Sequence, residues 1–227
     1  MQEHYRHEYK FLISRSAAQL LALRLPHFMQ RDAHAGPDGQ YTIRSLYFDD
    51  PNYTAFYEKV AGTDNRTKYR IRCYNYDTSL FRLERKEKKG HLTRKTGQTL
   101  STKQVLSLLR NPVKPRPELF GTLADELRLR CASEGMRPVV LVDYDRTSFV
   151  CKNGNTRITL DDNLRTVPYC HDLFGPIHAM VPVLEADQVI LEVKFDDFLP
   201  GYLSNVLADI PKAPMAISKF AMCLNLI

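Results

Sequence analysis

Charge recurs on alternate positions along six short, strand-like segments of this chain, in several of them with apolar residues between. The segments are Glu8-Tyr9-Lys10, Lys68-Tyr69-Arg70-Ile71-Arg72, Glu84-Arg85-Lys86-Glu87-Lys88, Tyr144-Asp145-Arg146, Arg157-Ile158-Thr159-Leu160-Asp161 and Glu192-Val193-Lys194. Side chains two apart on a strand share a face, so each segment reads as a strand with a charged side. The other side is mostly apolar, through Ile71 and Cys73, Phe81 and Leu83, Ile158 and Leu160, and Leu191 and Val193. Strands of this kind pack the apolar side against helices. Arg70 beside Arg72 on one face is unfavourable unless something negative lies opposite. One polyanionic ligand is the simplest cause common to all six segments. A closed or nearly closed sheet lined in this way would be a basic tunnel with a few carboxylates, suited to a phosphate chain and a divalent metal.

The same patterning predicts strands over 6–13, 41–48, 67–76, 79–88, 138–149, 156–161 and 189–195, with short ones near 91–97 and 183–185. Ser16 and Gln19 read as a capping box that opens a helix, with Leu20, Leu21, Leu23 and Leu25 as its core face. Further helices are predicted over 53–60, 101–110 (capped by Ser101 and Gln104), 122–133, 202–209 and 217–226. Residues 31–40 read as a loop, 111–117 as a proline-rich connector, and 162–182 as mostly irregular. Helices interrupt the strands without strict βαβ alternation. The expected fold is therefore α+β: a mainly antiparallel β-barrel forming a basic tunnel, with helices packed outside, in a single domain over 1–227.

Composition narrows the chemistry. The chain has 227 residues and a formal charge of +6, which favours an anionic partner. Its five cysteines are widely spaced with no CxxC, so neither a disulfide framework nor a zinc site is indicated, and a reduced, cytoplasmic protein is expected. The start is charged and no apolar run is long enough to span a membrane. No Walker A loop, GxSxG or HExxH is present. The histidines at 4, 7, 27, 34, 91, 171 and 178 lack ligand spacing. Aromatic residues are scattered rather than interleaved with basic ones, which argues against nucleic acid. Arg suits phosphate through its planar fork, and Lys acts as a point charge. Glu8, Glu84, Asp161 and Glu192 are either cross-strand ion-pair partners or oxygen ligands for a divalent metal.

Eight motifs in order carry a resemblance: Arg6-His7-Glu8-Tyr9-Lys10, Ser45-Leu46-Tyr47-Phe48-Asp49, Arg70-Ile71-Arg72, Glu84-Arg85-Lys86, Tyr144-Asp145-Arg146, Arg157-Ile158-Thr159, Glu192-Val193-Lys194 and Ser218-Lys219-Phe220. Together they resemble the VTC domain, the catalytic domain of the vacuolar transporter chaperone polyphosphate polymerase, within the CYTH-like triphosphate tunnel metalloenzymes. The resemblance implies that Lys10, Arg70, Arg72, Lys86, Arg146, Arg157 and Lys219 bind phosphates, with Lys95 a further candidate. It implies Glu192 as a ligand of Mn²⁺ or Mg²⁺ with Lys194 beside it, and Glu8 as a carboxylate assisting metal or water. Tyr144 and Ser218 are expected to hydrogen-bond phosphate oxygens. The implied substrates are ATP and inorganic polyphosphate, and the implied reaction is γ-phosphoryl transfer. A triphosphatase, or a non-catalytic polyphosphate- or nucleotide-binding module, is the alternative. The eukaryotic sensor domain and membrane segment have no counterpart in the chain. A separate membrane partner is the expectation for any coupled translocation, with this protein cytoplasmic, at the inner face of the membrane.

Overall fold

In a computed structural model, residues 7–32, 35–36, 38–90, 92–114, 117–167, 172–175 and 180–226 are described. Arg6, His4, His34, His91, Cys170, His171 and His178 lie outside them, as do parts of the 31–40 loop, the 111–117 connector and the 162–182 segment. Among the described residues the elements run β1 (His7–Ser14), α1 (Arg15–Arg24), β2 (Gln30–Arg31), β3 (Gln40–Asp49), α2 (Thr54–Val60), β4 (Arg66–Tyr74), β5 (Leu80–Lys89) and β6 (Leu92–Ser101). They continue through α3 (Thr102–Arg110), α4 (Leu123–Ser133), β7 (Arg137–Cys151), β8 (Thr156–Val167), β9 (Val181–Pro182), β10 (Gln188–Phe195), α5 (Gly201–Val206) and α6 (Lys219–Leu224). All strands belong to one sheet, and every pairing with a resolved register is antiparallel.

The α+β class and the antiparallel sheet are as expected. Among the described residues the hydrogen-bonded order β1-β10-β8-β7-β3-β4-β5-β6 is an open path with β1 and β6 at its ends, so the barrel is not strictly closed. The chain forms two compact units, one of Met1–Thr42, Asp143–Arg165 and Pro182–Ser218, the other of Ile43–Val142, Thr166–Val181 and Lys219–Ile227.

In the first unit, Phe11, Ile13, Ile158, Leu160, Leu191 and Val193 form the apolar side of β1, β8 and β10. They pack against Ala18 and Leu21 of α1 and against Leu203 of α5. In the second, Ile71, Cys73, Phe81, Leu83 and Leu100 pack under Val105 and Leu108 of α3 and Leu127 and Cys131 of α4. Each unit thus covers the apolar side of its strands with helices, as the alternation predicts. Burial of this area is the main favourable term in folding.

Several local expectations are corrected. Ser14, not Ser16, caps α1, accepting from the Ala17 N–H at 3.2 Å. Leu20 and Leu23 are exposed, whereas Leu21 and Leu25 are buried, because only positions near an i, i+3/i+4 stripe face the sheet. The Ser101–Gln104 capping box is present as expected. The strand expected to end at Asp161 runs on to Val167. Asn163 adopts a left-handed φ of 51° there, so the start of the segment expected to be irregular is absorbed within the strand. The last helix covers Lys219–Leu224 rather than 217–226, and β6 is longer than predicted.

Candidate functional site

The charged side of the first unit is built by β1, β10 and β8, with β7 next in order. Register sets Lys10 opposite Glu192 and Glu192 opposite Thr159; the adjacent row on that face is Glu8, Lys194 and Arg157. Acid therefore meets base across the β1–β10 pair. Lys10 Nζ lies 3.0 Å from Glu8 and 3.6 Å from Glu192. Lys194 Nζ lies 3.2 Å from Glu192 and 3.9 Å from Glu8. The two glutamates are thus bridged by the two lysines. Lys10 also donates to the Ile217 carbonyl at 3.3 Å, beside Ser218 at the unit's last residue.

Arg146 of β7 forms a bidentate pair with Asp161, at 2.6 Å and 2.7 Å, and reaches Glu192 at 3.7 Å. Burial works to lower the Arg146 guanidinium, but Asp161, Tyr144 and Glu192 override it and hold it well above its ordinary value. Its guanidinium lies 5.3 Å from the centroid of the Tyr144 ring, so Tyr144 supports Arg146 by a cation–π contact. Arg157 is held by Asp32, by the Ser148 hydroxyl at 3.1 Å and by the Tyr41 hydroxyl at 3.2 Å. Burial raises the Tyr41 phenol, against the lowering pull of Arg146 and Arg157. The Thr159 hydroxyl, next to Glu192 across the β8–β10 pair, is buried and makes no hydrogen bond.

The second unit's charged side follows a different rule. Lys68, Lys86 and Lys95 stand directly opposite one another across β4, β5 and β6. On the same face Arg66 opposes Lys88, and Arg72 opposes Arg82. The remaining row, Tyr47, Arg70, Glu84 and Gly97, contains the single carboxylate of the four rows. Glu84 takes a 2.7 Å bond from Arg70 Nε and a 2.5 Å contact from Lys95. Arg72 Nε approaches it to 3.4 Å, in ion-pair range but without hydrogen-bond geometry. Burial pushes the Glu84 carboxyl up, but Arg70, Arg72 and Lys95 prevail and hold it at about 2. At Gly97 in this row an added Cβ would meet the Arg82 guanidinium at 2.8 Å, so that flexible side chain would have to shift. Lys219, the first residue of α6, and Arg70 and Arg72 are the positive neighbours of the Tyr47 phenol.

The site residues expected from sequence therefore fall into two sets. Glu8, Lys10, Tyr144, Arg146, Arg157, Glu192, Lys194 and Ser218 belong to the first unit, and Arg70, Arg72, Lys86, Lys95 and Lys219 to the second. Of the four carboxylates, Asp161 and Glu84 serve as counter-ions to arginines. Among the described residues no group of three or more His, Cys, Asp or Glu side chains is gathered as a metal cage. Glu8 and Glu192 remain as a two-carboxylate oxygen donor set, which fits Mg²⁺ or Mn²⁺ only with phosphate oxygens and water completing the shell. Lys68 lies in a charged segment and Tyr47 in a motif that the sequence singles out, but neither is assigned a site role there, and Asp32 is not singled out; their roles depend on register and on long-range contacts.

The VTC domain family matches residues 5–227. The chain belongs to the VTC domain family. Solved structures show the same fold. A candidate adenylate cyclase from Bacillus halodurans has a TM-score of 0.55 at 16% identity, covering 93% of this VTC domain and 95% of that chain. A candidate adenylyl cyclase from Hippeastrum, which has a dominant triphosphatase activity, has a TM-score of 0.57 at 18% identity, covering 96% and 94%. PH1819 from Pyrococcus horikoshii has a TM-score of 0.51 at 13% identity, covering 98% and 100%. No curated protein matches this VTC domain.

Proposed function

We propose that this VTC domain is a metal-dependent polyphosphate polymerase that transfers the γ-phosphoryl group of ATP onto a growing chain of inorganic polyphosphate, and that residues 1–227 act as one domain. The observation that carries this reading is the Lys68–Lys86–Lys95 row, flanked by further opposed cations. Like charges set directly opposite one another destabilise a sheet. A run of such rows along the strands is suited to an extended polyanion, and side chains recur on that face at about 7 Å intervals.

In this reading Arg70, Arg72, Lys86, Lys95 and Lys219 bind phosphate oxygens from the second unit, and Lys10, Arg146, Arg157 and Lys194 do so from the first, with Tyr144 and Ser218 assisting. Glu192 and Glu8 would hold Mn²⁺ or Mg²⁺, which would neutralise charge on the phosphate oxygens. A terminal phosphate oxygen of the acceptor attacks the γ-phosphorus, the bond to the β-phosphate oxygen breaks, and ADP leaves. Positioned cations stabilise the charge spread over the equatorial oxygens. No helix among the described residues is long and apolar enough to cross a membrane. A cytoplasmic setting and a separate membrane partner for translocation are part of the proposal.

The second reading, a triphosphatase, draws on the activity of the Hippeastrum protein of the same fold. The test is to incubate the protein with ATP and Mn²⁺ or Mg²⁺, with and without a short polyphosphate primer, and to follow chains on a gel and free phosphate in parallel. A ladder of chains supports the polymerase, free phosphate without chains the triphosphatase, and neither product refutes both. Activity indifferent to EDTA refutes the metal assignment.

A further inference from the structure

Tyr47 occupies a place that phosphate binding by the strands does not by itself explain. It lies on β3 directly opposite Arg70, and Arg70 lies directly opposite Glu84. Arg70 therefore sits in the middle of a row, gripped from both neighbouring strands. Its Nη1 donates to the Tyr47 hydroxyl at 2.8 Å, and its Nε donates to Glu84 at 2.7 Å. A guanidinium is planar, so two bonds at different nitrogens fix both its direction and the roll of its plane. The other arginines of that face are held less. Arg72 approaches Glu84 without hydrogen-bond geometry, and Arg82 bonds a threonine hydroxyl in an exposed setting.

The phenol is itself immobilised. Its ring stacks on the buried Phe220 ring at 5.1 Å and 29°. Burial pushes the Tyr47 phenol up, yet Arg70, Arg72 and Lys219 bring it below its ordinary value, as expected for an oxygen that accepts strongly from cations. Phenylalanine would fill the same space and stack equally well, so packing does not account for the hydroxyl.

We propose that Tyr47 is a positioning residue whose hydroxyl locks the Arg70 guanidinium in one orientation for binding a phosphate oxygen. The proposal rests on the phosphate-binding reading of Arg70. A bond to a charged donor, pre-formed before the ligand arrives, removes part of the ordering cost of binding.

The experiment is a double-mutant cycle read by calorimetry with tripolyphosphate as the probe, at fixed ionic strength and without nucleotide. Tyr47→Phe is expected to weaken binding about tenfold in the wild-type background. In the Arg70→Ala background the same change is expected to cost less than about twofold, because the group it positions is gone. Equal losses in both backgrounds, or no loss in the wild type, would overturn the proposal. A second readout needs no variant: the Arg70 Nε–H signal in side-chain NMR should exchange with solvent far more slowly than that of Arg82. Equal exchange rates would also overturn it. If the wild type fails to bind tripolyphosphate, the phosphate-binding reading falls, while the exchange rates still decide whether the clamp exists.

Discussion

The two charged faces differ in how they are neutralised. In the first unit Glu8 opposes Lys194 and Lys10 opposes Glu192, and the buried Asp161 takes both arms of Arg146. In the second, three lysines oppose one another, two arginines oppose each other, and one carboxylate serves Arg70, Arg72 and Lys95 together. The first face is largely satisfied by its own register. The second sets like charges opposite one another by its register, an arrangement that suits an anionic ligand. An even spread of charge over both faces would fit a solvated sheet; this asymmetry fits one face suited to a polyanion and one whose carboxylates are bridged by lysines.

The largest effect that would break this comparison is at Glu192. Glu192→Gln should lower turnover by at least about a thousandfold while tripolyphosphate affinity changes only a few-fold; parallel losses in single-turnover rate and in calorimetric affinity would contradict the division. Next, Arg70→Ala should weaken tripolyphosphate binding by about 30-fold or more, with the loss shrinking at high salt.

Acid provides a third test. A carboxyl whose folded value lies near 2, below its ordinary 4.5, adds stability that is fully present above about pH 4.5 and is lost as pH falls toward 2. Melting temperature followed from pH 5 to pH 2 should drop more steeply in the wild type than in Glu84→Gln. Matching slopes would show that Glu84 is not the hub of the second face.

A smaller effect tests the first face. Without ligand, Lys194→Ala should destabilise the protein by about 1 kcal/mol in urea unfolding, because Lys194 bridges Glu8 and Glu192. No loss would show that this face is not held by its own ion pairs. The smallest effect is at Gly97. Gly97→Ala pushes on the Arg82 guanidinium and should weaken tripolyphosphate binding about two- to threefold without changing the turnover of bound substrate.

The charge alternation is legible in the chain because period two is a local property, and it alone puts Arg70, Arg72, Lys86, Arg146 and Glu192 on the polar sides of strands. Register is not legible. Nothing local says that Lys68, Lys86 and Lys95 align, or that Tyr47 meets Arg70, since those pairings depend on where each hairpin turns. The β4–β5 connection spans 75–79 and so includes the expected Asp77-Thr78, with left-handed Asn75 and Tyr76 just ahead of it. The second half of β8 is hidden for a related reason. Asp162 is taken up by Arg15, and the Asn163 side chain by Asp145, long-range partners that turn a loop-like run into strand. The counter-ion roles of Asp161 and Glu84 likewise emerge only from contacts across strands.

The most direct test of the positive, register-driven face is chain-length dependence. Calorimetric affinity would be measured at one salt concentration for tripolyphosphate and for progressively longer inorganic polyphosphates. Affinity should keep rising beyond three phosphates as successive rows are engaged, and the rise should be blunted by Lys68→Ala. Affinity that stops growing at tripolyphosphate, or that is indifferent to Lys68, would contradict a face held for a chain.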